Sequence, residues 1–212
     1  MTIRLSKAGK RFNREWIFRG ADLQFESHIS CAITGPNGSG KSTLLQCIGG
    51  MLQLSEGEIN YAIGNEQLAM EKAYKHVSFC APYLELIEEM TLIEFLQFHQ
   101  QFKFFLPGMD TKKIIEITGL RSSANKQIRN YSSGMKQRVK LVQAILSDTE
   151  IVLLDEPCTN LDINGIELYH SLIQDHCKNR LLIVSSNDEV EYRFCSHRIN
   201  INDLSNDIKQ HF

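Results

Sequence analysis

One stretch of the chain, Gly35 to Thr43, has the residue types and the spacing of a phosphate-binding loop. It reads GPNGSGKST and satisfies the pattern G-x-x-x-x-G-K-[ST] in full. In such a loop the glycines let successive backbone N–H groups turn inward, and the following helix directs its positive end at the same place. The chemistry that this arrangement supports is the binding of a nucleotide's phosphates.

Every position of this stretch is predicted to contribute to nucleotide binding. Lys41 is expected to reach the β- and γ-phosphates, and the hydroxyl of Ser42 is expected to bind Mg²⁺. A plain glycine turn is the alternative, but the apolar run before the stretch and the helical pattern after it favour a phosphate loop. The predicted binding residues are Gly35, Pro36, Asn37, Gly38, Ser39, Gly40, Lys41, Ser42 and Thr43.

A pair of carboxylates, Asp155 and Glu156, ends the apolar run IVLLDE. In a chain with a phosphate loop, Asp155 is expected to orient Mg²⁺, directly or through water. Glu156 is then left to polarise an attacking water as a general base. The alternative is an acidic pair that only marks the end of a strand, and the phosphate loop favours the catalytic interpretation.

A third stretch, YSSGMKQR from Tyr131 to Arg138, is a Ser-Ser-Gly turn that opens an amphipathic helix. Serine is a favoured N-cap, so a plain helix start explains this stretch when it is considered alone. A serine, a glycine backbone and a helix N-terminus also form an anion site. The order of the motifs along the chain decides between these interpretations.

The elements that must position these residues follow an α/β pattern. Short β-rich segments come first, and the apolar runs IVLLD and LLIVSS suit strands that are covered on both faces. Helical patterns lie between them, in TLIEFLQFHQQFKFF, DTKKIIEITGL and SGMKQRVKLVQAIL. We therefore predict one domain over 1–212, with an α/β core at about 1–82 and 148–212 and a helical subdomain at about 83–147.

Composition excludes several classes of protein. The chain has 212 residues, 42% of them hydrophobic, and a net charge of −2, which does not indicate a general nucleic-acid-binding surface. No apolar run approaches the roughly 20 residues of a membrane-spanning helix, and the N-terminus has no signal-peptide pattern. The scattered cysteines and histidines predict reduced, buried thiols and no structural metal. We expect a cytoplasmic protein.

The order of the three motifs resembles that of the ATP-binding-cassette (ABC) ATPases, the nucleotide-binding subunits of ABC transporters, over almost the whole chain. YSSGMKQR is similar to the family's signature, which usually reads Leu-Ser-Gly-Gly-Gln, with Ser132 and Gly134 kept and Ser133 in place of the first glycine. The resemblance implies a P-loop NTPase core with a mainly parallel sheet, an N-terminal antiparallel β subdomain and an inserted helical subdomain. It also implies ATP and Mg²⁺ as cofactors.

Further residues carry over from the family by position. Phe12 is at the place of an aromatic that stacks on adenine, with Trp16 as a nearby alternative. Asp162, in TNLD, matches the end of a loop that communicates across a dimer. The resemblance implies that Ser132, Ser133 and Gly134 act in trans, on the γ-phosphate held by a second cassette.

Two positions depart from the family. Asn187 is at the place of the usual switch histidine, where it can still donate a hydrogen bond but cannot change its charge. Pro82 is at the place of the usual loop glutamine, and no glutamine follows up to Met90, although Glu85 is close in sequence. The resemblance therefore implies ATP hydrolysis that is slow or dependent on a partner.

The leading hypothesis is an ATP-hydrolysing subunit that powers transport by a separate transmembrane permease. It predicts a homodimer with two ATP at its interface, since each composite site needs a phosphate loop and a signature and this chain supplies both. The protein would be peripheral on the cytoplasmic face of the membrane, and the short single cassette favours export. The alternatives are an ATP-gated regulatory cassette with little turnover and an ABC ATPase that acts on nucleic acid or the ribosome.

Overall fold

The structure, a computed structural model, describes the backbone of residues 1–208 and the side chains of residues 1–204. The chain forms two compact units. Among the described residues, the first unit contains Met1–Phe79, Glu150–Glu156 and 179–208, and the second contains Cys80–Thr149 and Pro157–Lys178. The predicted helical segment, 83–147, lies within the second unit.

An antiparallel sheet forms the N-terminal part of the first unit, with the strand order β2-β1-β4-β5. Inward-facing apolar residues pair along it, as in the register Ile3 with Phe25. Its strands are β1 (Thr2–Phe12), β2 (Glu15–Glu26), β4 (Glu56–Ile63) and β5 (Glu66–Leu68). This sheet confirms the predicted antiparallel β subdomain.

A second sheet has the order β6-β7-β8-β3-β9, and the pairs β3–β8, β3–β9 and β7–β8 are parallel. Every residue of β7 and β8 is buried, which explains their unbroken apolar sequences. The strands are β3 (Ser30–Thr34), β6 (Val77–Cys80), β7 (Ile151–Asp155), β8 (Leu181–Ser185) and β9 (His197–Asn200). Because β3, β7 and β8 are parallel, their carboxyl ends share one edge of the sheet.

The described part of the first unit has three α-helices: α1 (Lys41–Ile48), α2 (Met70–Ala73) and α7 (Glu189–Tyr192). Helix α1 contacts β1 of the first sheet and β7 and β8 of the second. Both sheets therefore contribute to one apolar core, in which Leu44 and Leu45 of α1 are fully buried.

The second unit is helical, and α5 contacts each of its other helices. Its helices are α3 (Leu92–Gln100), α4 (Thr111–Thr118), α5 (Ser133–Leu146) and α6 (Ile163–His176). Side-chain caps begin each of them, including a full capping box between Thr91 and Glu94 at α3. With its mainly parallel sheet, antiparallel sheet and helices, the chain has the predicted α/β fold class.

The helical pattern of TLIEFLQFHQQFKFF predicts a longer helix than the structure contains. Helix α3 ends at Gln100, because the chain turns after it and Phe105 forms a β-bridge with Ser147. The N–H group of Leu106 also donates to the carbonyl of Leu146, 2.8 Å away. A contact with a residue that is distant in sequence therefore overrides the local helical pattern here.

Candidate functional site

The glycine-rich stretch connects β3 to α1, as its sequence predicts. Gly40 is the N-cap of α1 and has φ +99°, a conformation that favours glycine. A Cβ atom at this position would lie 2.0 Å from the Cγ2 atom of Ile17 on β2. Both the backbone conformation and the close approach of Ile17 therefore require glycine at position 40.

The side chain of Lys41 is almost completely buried and folds back over the loop. Its ammonium group donates to the carbonyl oxygens of Gly35 (2.8 Å) and Pro36 (3.1 Å). This places a positive charge beside the backbone turn that precedes the N-terminus of α1. Both features attract an anion, and a phosphate chain is an anion of suitable length.

Asp155 ends β7 with a carboxylate that is 1% exposed. Its Oδ1 atom is buried and has no hydrogen-bond partner among the described residues, and the same holds for the Oγ atom of Ser39 in the glycine-rich loop. A buried carboxylate oxygen without a donor is costly unless an ion or water completes its coordination. A carboxylate and serine hydroxyls are ligands that Mg²⁺ accepts, so the residues present fit this ion.

Glu156 adopts a left-handed backbone conformation, with φ +42°. Its N–H group donates to the carbonyl of Ser185 at the end of β8, 2.9 Å away. A non-glycine residue with positive φ is strained, and strain of this kind persists where the surrounding structure holds it. The turn that follows Asp155 is therefore a constrained one, and the sequence carries no signal of it.

Asn187 follows β8 at the same edge of the sheet. Its amide nitrogen donates to the Oδ1 atom of Asn37 in the glycine-rich loop, at a distance of 2.7 Å. Both side chains are exposed. The loop after β3, the carboxylates after β7 and Asn187 after β8 thus occupy the carboxyl ends of three neighbouring parallel strands, where α/β proteins bind their ligands.

Phe12 and Trp16 differ in the solvent exposure of their rings. Phe12 ends β1 with 47% of its surface exposed, and the ammonium of Lys10 lies 5.1 Å from its ring centre. Trp16 is half-buried, with the guanidinium groups of Arg11 and Arg19 at 5.4 and 4.5 Å from its ring centre. The ring of Phe12 is therefore the more accessible one for stacking against a base.

In the second unit, the Ser-Ser-Gly turn begins α5. Ser132 caps the helix by accepting a hydrogen bond from the N–H group of Met135, 3.2 Å away. A Cβ atom at Gly134 would lie 2.9 Å from the carbonyl oxygen of Asn160, so glycine is required there for the close approach of the two backbones. Ser132 and Ser133 are exposed, which leaves this helix N-terminus accessible.

Asp162 is held beside the same helix. It accepts hydrogen bonds from the guanidinium of Arg138 (2.7 Å) and from the N–H group of Gly165 (2.8 Å), the latter as the N-cap of α6. These bonds lower the pKa of the Asp162 carboxyl, the cap bond most strongly. With the Ser-Ser-Gly turn, Arg138 and Asp162 line a polar cavity of about 360 Å³.

Two polar residues on the inner side of α5, Gln137 and Lys140, are not among those predicted from the sequence. The amide of Gln137 is buried and donates to the carbonyl of Pro157, 2.7 Å away. The ammonium of Lys140 donates to the carbonyl of Pro82, 2.8 Å away. Their spacing of three residues on an otherwise apolar helix face is the signal that could have revealed them.

In the described part of the chain, no group of three or more His, Cys, Asp or Glu side chains could hold a metal ion among themselves. Helices of the length and hydrophobicity needed to span a bilayer are also absent from that part. Five of the six cysteines are buried, Cys158 is half-buried, and none of the six forms a disulfide.

The fold and the glycine-rich loop define a P-loop ATPase. The chain belongs to the ABC transporter family, whose sequence model matches residues 18–159. This confirms the resemblance seen in the order of the motifs, and with it the classification of the protein as an ATPase.

Relatives of known name agree with this family. The chain is 29% identical over 216 residues to the lipoprotein-releasing system ATP-binding protein LolD of Bacteroides fragilis, a match that covers 95% of this chain and 98% of that protein. It is 31% identical over 144 residues to the cytochrome c biogenesis ATP-binding export protein CcmA of Xylella fastidiosa, covering 68% of this chain and 64% of that protein.

A solved structure matches nearly the whole fold. The ATP-binding cassette MJ0796, in a dimeric post-hydrolysis state bound to ADP and Pi, superposes with a TM-score of 0.79 and 24% identity over 93% of each chain. At that identity the likeness shows the fold.

Proposed function

We propose that this chain is the ATP-hydrolysing subunit of a transporter whose membrane-spanning part is a separate permease, which holds the chain on the cytoplasmic face of the membrane. Two copies would close over two ATP, and hydrolysis would reopen them. The observation that carries the proposal is the presence of two anion sites in one chain, the loop before α1 and the accessible N-terminus of α5. Relatives named as ATP-binding and export proteins and the dimeric state of MJ0796 support it.

The glycine-rich loop would bind the triphosphate through its backbone N–H groups. Lys41 would exchange its bonds to the Gly35 and Pro36 carbonyls for the β- and γ-phosphates. Ser42 and Asp155 would hold Mg²⁺, which neutralises phosphate charge when it is bound. The open ring of Phe12 would stack on the adenine.

Glu156 would act as general base and accept a proton from the water that attacks the γ-phosphate. The constrained turn at φ +42° would hold its carboxylate at one place relative to Asp155. Asn187 would donate a hydrogen bond to the γ-phosphate in place of Asn37. Since an amide does not ionise near neutral pH, this donor would keep the same charge throughout the cycle.

The second anion site would act in trans. Ser132, Ser133 and Gly134, at the positive end of α5, would contact the γ-phosphate bound by the other copy. Asp162, which is tied to α5 through Arg138, would connect this contact to the loop between Glu156 and α6. Each copy then completes the other's site, as a two-fold interface requires.

A second candidate is an ATP-gated cassette that closes on ATP with little turnover. Pro82 and Asn187 favour it, because they replace the two residues with which the family senses the γ-phosphate and the water. The third hypothesis, action on nucleic acid or the ribosome, has no support beyond membership of a broad family.

The experiment that separates these functions compares wild type with Lys41→Ala and Glu156→Gln, with Mg-ATP hydrolysis and light scattering measured on the same samples. For a motor subunit, wild type turns over and both variants lose about a hundredfold or more in rate. Glu156→Gln still dimerises with ATP, because it keeps the loop and both anion sites. A wild-type rate equal to that of Glu156→Gln would instead establish the ATP-gated cassette.

A further inference from the structure

Lys140, on the inner side of α5, is bound to the backbone of the segment that follows β6. Its half-buried side chain donates to the carbonyl oxygen of Pro82 at 2.8 Å and to that of Ala81 at 3.5 Å. Proline has no backbone N–H group, so its carbonyl is the only main-chain group through which residue 82 can be held. A charged donor makes the stronger kind of hydrogen bond to such an oxygen.

The other end of the segment 81–90 is held by backbone bonds and by an ion pair between Glu88 and Lys136 of α5. The N–H group of Ile128 donates to the carbonyl of Met90 at 2.9 Å, and that of Arg129 donates to Glu88 at 3.0 Å. These are backbone bonds, which a change of side chain leaves in place. The beginning of the segment is instead bound to α5 through the side chain of Lys140, and one substitution can remove this bond.

The ammonium group of Lys140 is partly removed from water. Burial lowers the pKa of its amine, while Cys80 and Glu85 act in the opposite direction and Lys136 adds to the lowering. One turn earlier on α5, the buried amide of Gln137 donates to the carbonyl of Pro157, which directly follows Glu156 in sequence. Helix α5 therefore binds backbone carbonyls at two points, one after β6 and one after β7.

We propose that Lys140 is a positioning residue for ATP hydrolysis. Its side chain binds the segment 81–90 to α5, the helix that Ser132 caps. The proposal rests on the proposed function, since it assigns α5 the γ-phosphate contact in trans. When that contact forms, the segment moves with α5 as one body. This chain lacks the family's loop glutamine. Its segment 81–90 is instead held by helix α5, through the bond from Lys140 to the Pro82 carbonyl.

The first test is hydrogen exchange at the backbone amides from Tyr83 to Met90, measured without nucleotide. Lys140→Met keeps the length of the side chain but removes its donors. Because a hydrogen bond to a charged group is lost, exchange in this segment should become about tenfold faster. Lys140→Arg keeps a charged donor and should exchange like wild type. Lys113→Met is the matched control, since this exposed lysine also donates to a loop carbonyl, that of Gly108.

The second test is steady-state hydrolysis by the same variants. Lys140→Met should lower kcat several-fold and leave KM for ATP unchanged, because the nucleotide is bound elsewhere, by the loop before α1. Lys140→Arg should restore kcat, and Lys113→Met should leave it unchanged. Unchanged exchange in Lys140→Met, or faster exchange with unchanged kcat, overturns the proposal alone. A wild type no faster than Glu156→Gln overturns the hydrolytic function and this proposal with it.

Discussion

Glu156 combines a predicted catalytic role with a strained backbone. At φ +42° a side chain costs free energy that glycine does not. Such strain at a predicted catalytic residue suggests that stability is given up for the position of one carboxylate. Different substitutions of Glu156 can separate the effect of the backbone strain from that of the carboxylate.

We predict that Glu156→Gly raises the free energy of unfolding by about 1 kcal/mol and abolishes hydrolysis. Glu156→Gln should abolish hydrolysis equally but keep the strain, so its stability should match wild type. Urea unfolding of the three proteins gives the comparison. Equal stability of the glycine and glutamine variants would mean that the positive φ does not cost free energy at this position.

Helix α3 is joined to α5 through a half-buried histidine. Gln143 donates to Nδ1 of His99 at 3.1 Å, so Nε2 carries the proton and donates to the Ser147 hydroxyl at 2.8 Å. Burial lowers the pKa of His99 to about 4, with the charge of Lys103 adding to the effect. Both ring nitrogens are used by the neutral form, and the imidazolium would place a second N–H against the Gln143 amide.

This histidine predicts a loss of stability in mild acid. The pKa of His99 is lower in the folded chain than in the unfolded chain, where it is about 6.5. Below that pH the unfolded chain binds more protons, so the free energy of unfolding falls as the pH decreases from about 6.5 to about 4, by on the order of 2 kcal/mol. His99→Gln should lack this part of the pH dependence. Urea unfolding of wild type and His99→Gln at pH 7 and pH 4.5 tests this prediction. An equal decrease in the free energy of unfolding for the two proteins would contradict it.

The N-terminus of α5 has a structural and a proposed functional role, and Ser132 takes part in both. Asp is as good an N-cap as Ser and is favourable at the positive end of a helix, so Ser132→Asp should retain the free energy of unfolding. Its charge would repel the γ-phosphate of a second copy. We predict that Ser132→Asp, in a Glu156→Gln background, no longer dimerises with ATP in light scattering. Ser132→Asn, a neutral cap, is the control and should still dimerise.

For the assembled protein, the proposed head-to-tail arrangement predicts complementation between two inactive variants. A mixed dimer of Lys41→Ala with Ser132→Asp has one site in which the loop and the signature are both intact. Random mixing of equal amounts should therefore restore about a quarter of wild-type activity. Mixing Lys41→Ala with the double variant that carries both changes leaves no intact site and should restore none. No recovery in the first mixture would rule out sites shared in this way.

Much of the fold could be predicted because its signals are local. The G-x-x-x-x-G-K-[ST] spacing determines a loop whose geometry is set by its own backbone, and the buried strands β7 and β8 have unbroken apolar sequences. What could not be predicted depends on residues far apart in sequence. The end of α3 depends on the β-bridge to Ser147, and the conformation of the Lys140 side chain depends on its bond to Pro82. The turn at Glu156 depends on the backbone bond to Ser185.

The thiols described above have a practical consequence for following this protein in solution. Burial raises the pKa of Cys31 and Cys195 to about 12 and that of Cys47 to about 11, so these groups stay protonated and unreactive at neutral pH. Cys158 is the least buried of the six and lies between Glu156 and Asp162. A maleimide dye added to the native chain would therefore attach first at that loop. The unaltered sequence thus provides a fluorescence reporter at the segment proposed to link one nucleotide site to the other.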